Sequence, residues 1–270
     1  MKKLLKSIRG VTLVEVLLAL LITGIISAAM FRVYINQHHA WMIQDRVIEM
    51  QQSARASIDE LTRQLRMCGY ALPVTLDAFT AYNTDPDTIT IYYKSTACEA
   101  PIVHAMPQPS AELRCDGNDV SCFYDGQYAY IFDPTAETGE FFTITQVQAA
   151  SAHVQHNLGP LSKAYPAGSQ LLSIEVVKFY IDRSDTLHPK LMIQLGSSAP
   201  QIYAENIVDL QFTYTLKNGV TVDVPAIKDD VRRIGVQVTA RTPDPDVEFQ
   251  ANPYRLETYQ SQVYLRNLGG

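Results

Sequence analysis

The sequence lacks the short motifs that announce common enzymes. It has no Gly-x-Ser-x-Gly, no His-Glu-x-x-His and no phosphate-binding glycine loop, so the usual hydrolase, metalloprotease and nucleotide-binding readings have no starting point. No two cysteines have Cys-x-x-Cys spacing, which weakens a zinc reading. Basic charge is scarce: 22 Lys and Arg face 28 Asp and Glu, a net of −6, and no basic patch interleaved with aromatics appears. A general nucleic-acid surface needs such a patch and is excluded on that ground. Proline is missing before Pro73, and charge is nearly missing from Val11 to Phe31, where Glu15 is the only ionisable side chain.

The uncharged run covers 21 residues. As a helix it extends about 31 Å, enough to cross a bilayer core. A carboxylate inside a spanning segment costs on the order of 2.5–3.5 kcal/mol near its centre and calls for a partner. Glu15 sits near the start of the run, after Gly10, and before that glycine stand Lys2, Lys3, Lys6 and Arg9. These basic residues orient the chain with its N-terminus in the cytoplasm and its bulk outside. Two plainer readings compete. Ser27-Ala28-Ala29 offers a signal-peptidase site that would leave a soluble periplasmic protein, and the run could also be an uncleaved single-span anchor. Neither gives Glu15 a purpose.

Beyond the run the helical pattern continues. Ile43, Val47, Met50, Ala54, Ile58, Leu61, Leu65 and Cys68 recur at steps of three or four and form one apolar face. Gly69 is placed to cap the helix end, which predicts helix from about Val11 to Cys68. After Leu72 the period changes from 3.6 to 2. Clear alternation marks Thr88–Lys94, Ile207–Leu216 and Arg233–Arg241, with weaker strands at Gln127–Phe132, Phe141–Gln148, Leu171–Asp182, Lys190–Leu195 and Thr258–Arg266. Strands following one long helix, with no helix between them, predict α+β: a long N-terminal helix packed on an antiparallel β-sheet domain. Glu99–Asn118 is turn-rich and reads as an insertion loop pinned by cysteines.

The stretch Arg9-Gly10-Val11-Thr12-Leu13-Val14-Glu15-Val16 resembles the processing site of type IV prepilins and type II secretion pseudopilins. The resemblance implies a leader at 1–10, cleavage between Gly10 and Val11 by a membrane prepilin peptidase, and methylation of the new Val11 terminus. Most members have Phe where this chain has Val11. Loss of a leader carrying four basic side chains takes the net charge from −6 to −10. Carried over, Glu15 is the family's glutamate at the fifth mature position, which neutralises the terminal amine of a neighbouring subunit. The helix then divides into a transmembrane and filament-core part at 11–31 and an amphipathic part at 32–69, followed by a periplasmic β-rich domain at 70–270.

Later segments narrow the resemblance. Leu61–Tyr70, Glu205–Phe212, Val231–Val236 and Val263–Leu268 resemble PilW-like minor pilins, with GspJ/PulJ-like pseudopilins sharing the plan. The likeness implies a non-enzymatic subunit without cofactors. Its partners would be other minor pilins, the major pilin, the prepilin peptidase and the inner-membrane assembly platform. Such a subunit starts as a single-pass inner-membrane protein and ends at the pilus tip, where it helps prime assembly. The alternatives are a minor pseudopilin of a type II secretion system and an anchored periplasmic binding or sensor domain. The segment from about Pro73 to Gln170 matches nothing familiar.

Four cysteines in an exported domain, Cys68, Cys98, Cys115 and Cys122, read as two disulfides with three connectivities open. The short loop favours Cys115–Cys122, leaving Cys68–Cys98 to tie the helix end to the domain. Asp116, Asn118 and Asp119 offer oxygens to calcium but lack the spacing of an EF-hand, so an acidic turn is the simpler reading. His153 and His156 read as a solvated pair rather than metal ligands.

Overall fold

The computed structural model describes residues 11–94, 97–246 and 253–268. The chain divides into two compact units, Met1–Ile48 and Glu49–Gly270. Helix α1, Leu13–Met67, supplies the described part of the first unit and the opening of the second. In the first unit every side chain from Val11 to His38 is exposed. This part of α1 is long and apolar enough to cross a membrane, and none of its apolar window is buried within the chain.

In the second unit α1 becomes a core element. Met50, Ala54, Leu61, Leu65 and Cys68 of the expected stripe are buried, while Ile58 is half-buried. Ser57, Thr62 and Gln64 are buried beside them, so the stripe is wider than its apolar members. The helix ends where Gly69 adopts φ +79°, a left-handed conformation that glycine takes without strain. A Cβ there would also meet Leu268 Cδ2 at 2.9 Å.

The described strands run in chain order as follows. First come β1 (Phe79–Tyr82) and β2 (Thr88–Tyr93). A middle group holds β3 (Glu99–Pro101), β4 (Leu113–Arg114), β5 (Tyr128–Asp133), β6 (Thr138–Thr143), β7 (Gln146–Gln148), β8 (His153–Gln155) and β9 (Gln170–Leu172). Then follow β10 (Glu175–Asp182), β11 (Lys190–Leu195), β12 (Gln201–Glu205), β13 (Ile207–Leu216), β14 (Thr221–Val222), β15 (Val231–Arg241) and β16 (Leu256–Tyr264). One sheet has the order β1-β2-β10-β11-β12 and a second the order β14-β13-β15-β16. All their pairings are antiparallel. The fold is therefore α+β.

Alternation places Ile89, Ile91 and Tyr93 of β2 on the same buried side as Val177 and Phe179 of β10. Phe79 of the first sheet stacks on Tyr214 of the second with ring centroids 5.3 Å apart, joining both sheets under the helix. Since β2 pairs directly with β10, the whole middle group is an insertion between two neighbouring strands. It forms two small sheets, β3-β9-β5-β6 and β4-β8-β7. Its own core includes Ile102, Leu113, Ile131, Ile144, Val154 and Leu171, all fully buried. Glu99–Asn118 is thus not a plain loop: β3 and β4 lie within it, each too short to show a period.

The expected disulfide pairing is corrected. Cys98 bonds Cys122, with their Cα atoms 5.8 Å apart, and Cys68 and Cys115 are free and buried. The reason lies in the two periodicities. Leu113 and Cys115 alternate with exposed Arg114, so the Cys115 thiol faces the insertion core rather than Cys122. Cys68 continues the helix stripe into the main core, where its Sγ donates to Ala78 O at 3.2 Å.

Candidate processing and docking site at the helix N-terminus

The first residues of the apolar run form a compact polar knot. Val16 N donates to Thr12 O at 3.2 Å, the first turn of helix, which makes Thr12 the N-cap and Glu15 the third helical residue. One carboxylate oxygen, Glu15 Oε2, accepts from Thr12 N at 2.8 Å and from Thr12 Oγ1 at 3.0 Å. Glu15 N in turn donates to Thr12 Oγ1 at 3.3 Å. This is a capping box, Thr-x-x-Glu, in which side chains satisfy N–H groups that have no partner inside the helix. The spacing is visible in the sequence, yet a reading of Glu15 as an intermolecular partner alone passes over Thr12.

Capping changes what the carboxylate can do. The helix start already carries partial positive charge, so a negative group is favoured there before any neighbour arrives. Among the described residues Glu15 Oε1 has no hydrogen-bond donor, and it can accept one on the exposed helix surface. An amine on a residue such as Val11, itself 73% exposed, is a donor of the right kind. Gly10 lies outside the described residues.

The other singled-out residues have structural partners. His153 is held between two carboxylates, Nε2 at 2.9 Å from Asp116 Oδ1 and Nδ1 at 3.1 Å from Glu112 Oε1. Asp116 also meets Arg114 at 2.8 Å and His104 at 3.1 Å. Burial works against the charge of Asp116, but the bonds from His153 and Arg114 outweigh it and hold its carboxyl below the usual range. His156 is buried and bonds Ala111 O at 2.7 Å, so the two histidines are not a solvated pair. Of the carboxylates considered for calcium, Asp116 is held by Arg114 and His153 and Asp119 Oδ1 accepts from Ser121 N at 2.8 Å, while the Asn118 amide donates through Nδ2 to Cys115 O at 3.0 Å. Among the described residues no group of three or more His, Cys, Asp or Glu is arranged to hold a metal ion.

Residues 5–31 match the family model of the prokaryotic N-terminal methylation motif. That motif marks the chain as a prepilin-like substrate of prepilin peptidase, a pilin or pseudopilin. It supports a type IV pilin-like family, and with the apolar helix it fits a membrane-anchored pilin. Neither the curated proteins nor the solved structures yield a match to this chain.

Proposed function

We propose that this protein is a PilW-type minor pilin that helps initiate type IV pilus assembly within a priming complex at the tip. Cleavage falls between Gly10 and Val11, and the Val11 amine is then methylated. The apolar part of α1 stores the subunit in the inner membrane as a single span, with the β-rich domain in the periplasm. Glu15 of one subunit then takes the terminal amine of a neighbour as the two enter the filament. The observation that carries this reading is a lone carboxylate near the start of a wholly exposed, otherwise uncharged helical run, inside the matched motif.

The role is structural rather than enzymatic. Apolar side chains are about as well accommodated among neighbouring helices as in lipid, so transfer from membrane to filament changes burial little and an external motor can drive it. The partners are other minor pilins, the major pilin and the inner-membrane assembly platform. N-terminal mass spectrometry of the protein from cells with active prepilin peptidase tests the first step. A methylated Val11 terminus is expected. An intact Met1, or a start at Met30, would overturn it.

A further inference from the structure

Away from the helix N-terminus, two arginines line one cavity. Arg183 follows β10 and Arg241 ends β15, and with Thr186, Pro189 and Val208 they line a cavity of about 200 Å³. Both guanidinium groups are fixed by main-chain carbonyls. Arg183 donates from Nη1 to Asp85 O at 3.2 Å and from Nη2 to Val208 O at 2.8 Å. Arg241 donates from Nη2 to Thr186 O at 3.3 Å and also to Leu187 O. Carbonyls are neutral acceptors, so these bonds position the cations without cancelling their charge.

Carboxylates do little more. Asp85 Oδ1 lies 3.7 Å from Arg183 Nη2, and its side chain is 88% exposed, so water screens the pair. Among the described residues Arg241 has no ion pair, and its Nε is buried with no hydrogen-bond acceptor. The ring of Tyr254 covers one face of the Arg241 guanidinium, 4.2 Å from Cζ. A buried donor without an acceptor is costly, and two like charges on one small cavity repel. An oxygen anion in the cavity relieves the repulsion, because guanidinium groups bind carboxylate and phosphate through short charge-assisted hydrogen bonds. At about 30 Å³ per water the cavity has room for about six waters, or a small oxyanion with a few of them.

We propose that the Arg183–Arg241 cavity is a binding site for a single oxyanion, a carboxylate or phosphate group. Such a group comes either from a free small anion or from an acidic residue of another polypeptide. The site is independent of the pilin reading and stands or falls separately from it.

Full-length protein in detergent is titrated calorimetrically at constant ionic strength with acetate, inorganic phosphate, a short peptide with a free C-terminal carboxylate, and acetamide as the neutral control. Saturable binding of at least one anion is expected, with none for acetamide. Arg183→Gln and, separately, Arg241→Gln should each weaken it about tenfold or more, equivalent to about 1.4 kcal/mol. Peptide binding well above acetate assigns the oxyanion to a polypeptide, and equal binding assigns it to a diffusible ion. Because both arginines brace two main-chain carbonyls, each variant is first shown to unfold at the wild-type denaturant midpoint, and the wild-type titration decides the matter if neither variant does. Absence of saturable anion binding by wild type up to about 50 mM, or unchanged binding in Arg183→Gln, overturns the site.

Discussion

The hydroxyl of Tyr93 on β2 donates a 2.9 Å hydrogen bond to Gln64 Oε1 on α1, with both residues buried. The same amide turns its Nε2 to Glu60 Oε1 at 2.8 Å, so one glutamine spans from the exposed side of the helix to the sheet beneath it. Burial raises the Tyr93 phenol above its ordinary pKa, keeping it a donor throughout the neutral range. Tyr93→Phe leaves the Gln64 carbonyl buried without a partner, and the expected loss is about 1–3 kcal/mol in denaturant unfolding. Tyr93→Phe combined with Gln64→Leu should cost less than the two single changes added, since the stranded acceptor is gone.

The Cys98–Cys122 bond ties the start of β3 to the loop before β5, within the insertion. Non-reducing peptide mapping should recover that pair alone. Cys68 and Cys115 should alkylate only after unfolding, since both are buried, and burial, with the nearby Asp116 charge, pushes the Cys115 thiol up to about 11. A sequence separation of 24 corresponds, in the chain-entropy account, to a loss of about 3–4 kcal/mol on Cys98→Ser. A Cys115–Cys122 peptide in the map would reinstate the pairing the short loop suggested.

What the sequence disclosed followed period and burial. Ile207–Leu216 and Lys190–Leu195 were legible to the residue because each carries its own alternation, and α1 ended within a residue of expectation because Gly69 caps it. Gln201–Glu205 was hidden: it is an edge strand with Ala204 its only buried residue, so no apolar rhythm marks it. Leu171–Asp182 looked like one strand because it stays apolar, yet it holds β9 and β10, parted at Ser173 and Ile174. Ser173 N bonds Cys98 O there, a contact across the insertion that local sequence does not signal. At the helix start Thr12 and Glu15 were both in view. The Arg183–Arg241 cavity was not, because its residues come from separate strands.

Asp133 gives the insertion a pH dependence with a definite sign. The Lys163 ammonium, 3.0 Å from Asp133 Oδ2, holds its carboxyl below the usual range, helped by the backbone N–H groups of Thr135 and Ala136. A depressed folded-state value means the contribution is fully present above the unfolded value of about 4 and is lost as pH falls through the folded value. Asp133→Asn should therefore be less stable than wild type at pH about 7, with the gap closing below about 4. An equal gap at both pH values would mean that the side chain acts through packing, not charge.

The capping box separates two roles for one carboxylate. If Glu15 only caps α1, then Thr12→Ala and Glu15→Ala should behave alike, since each removes side-chain bonds from the same knot. A lost cap loosens only the first turn of the helix, little against a whole apolar span in lipid. If Glu15 also receives a neighbour's amine, the two variants diverge. Thr12→Ala keeps the carboxylate and leaves more of it free, so processing and incorporation into sheared filaments should persist. Glu15→Ala should still insert in the membrane but be missing from those filaments, because a buried amine without its counter-charge is several kcal/mol less stable than the pair. Recovery of both variants in filaments at wild-type level would leave Glu15 as a cap alone.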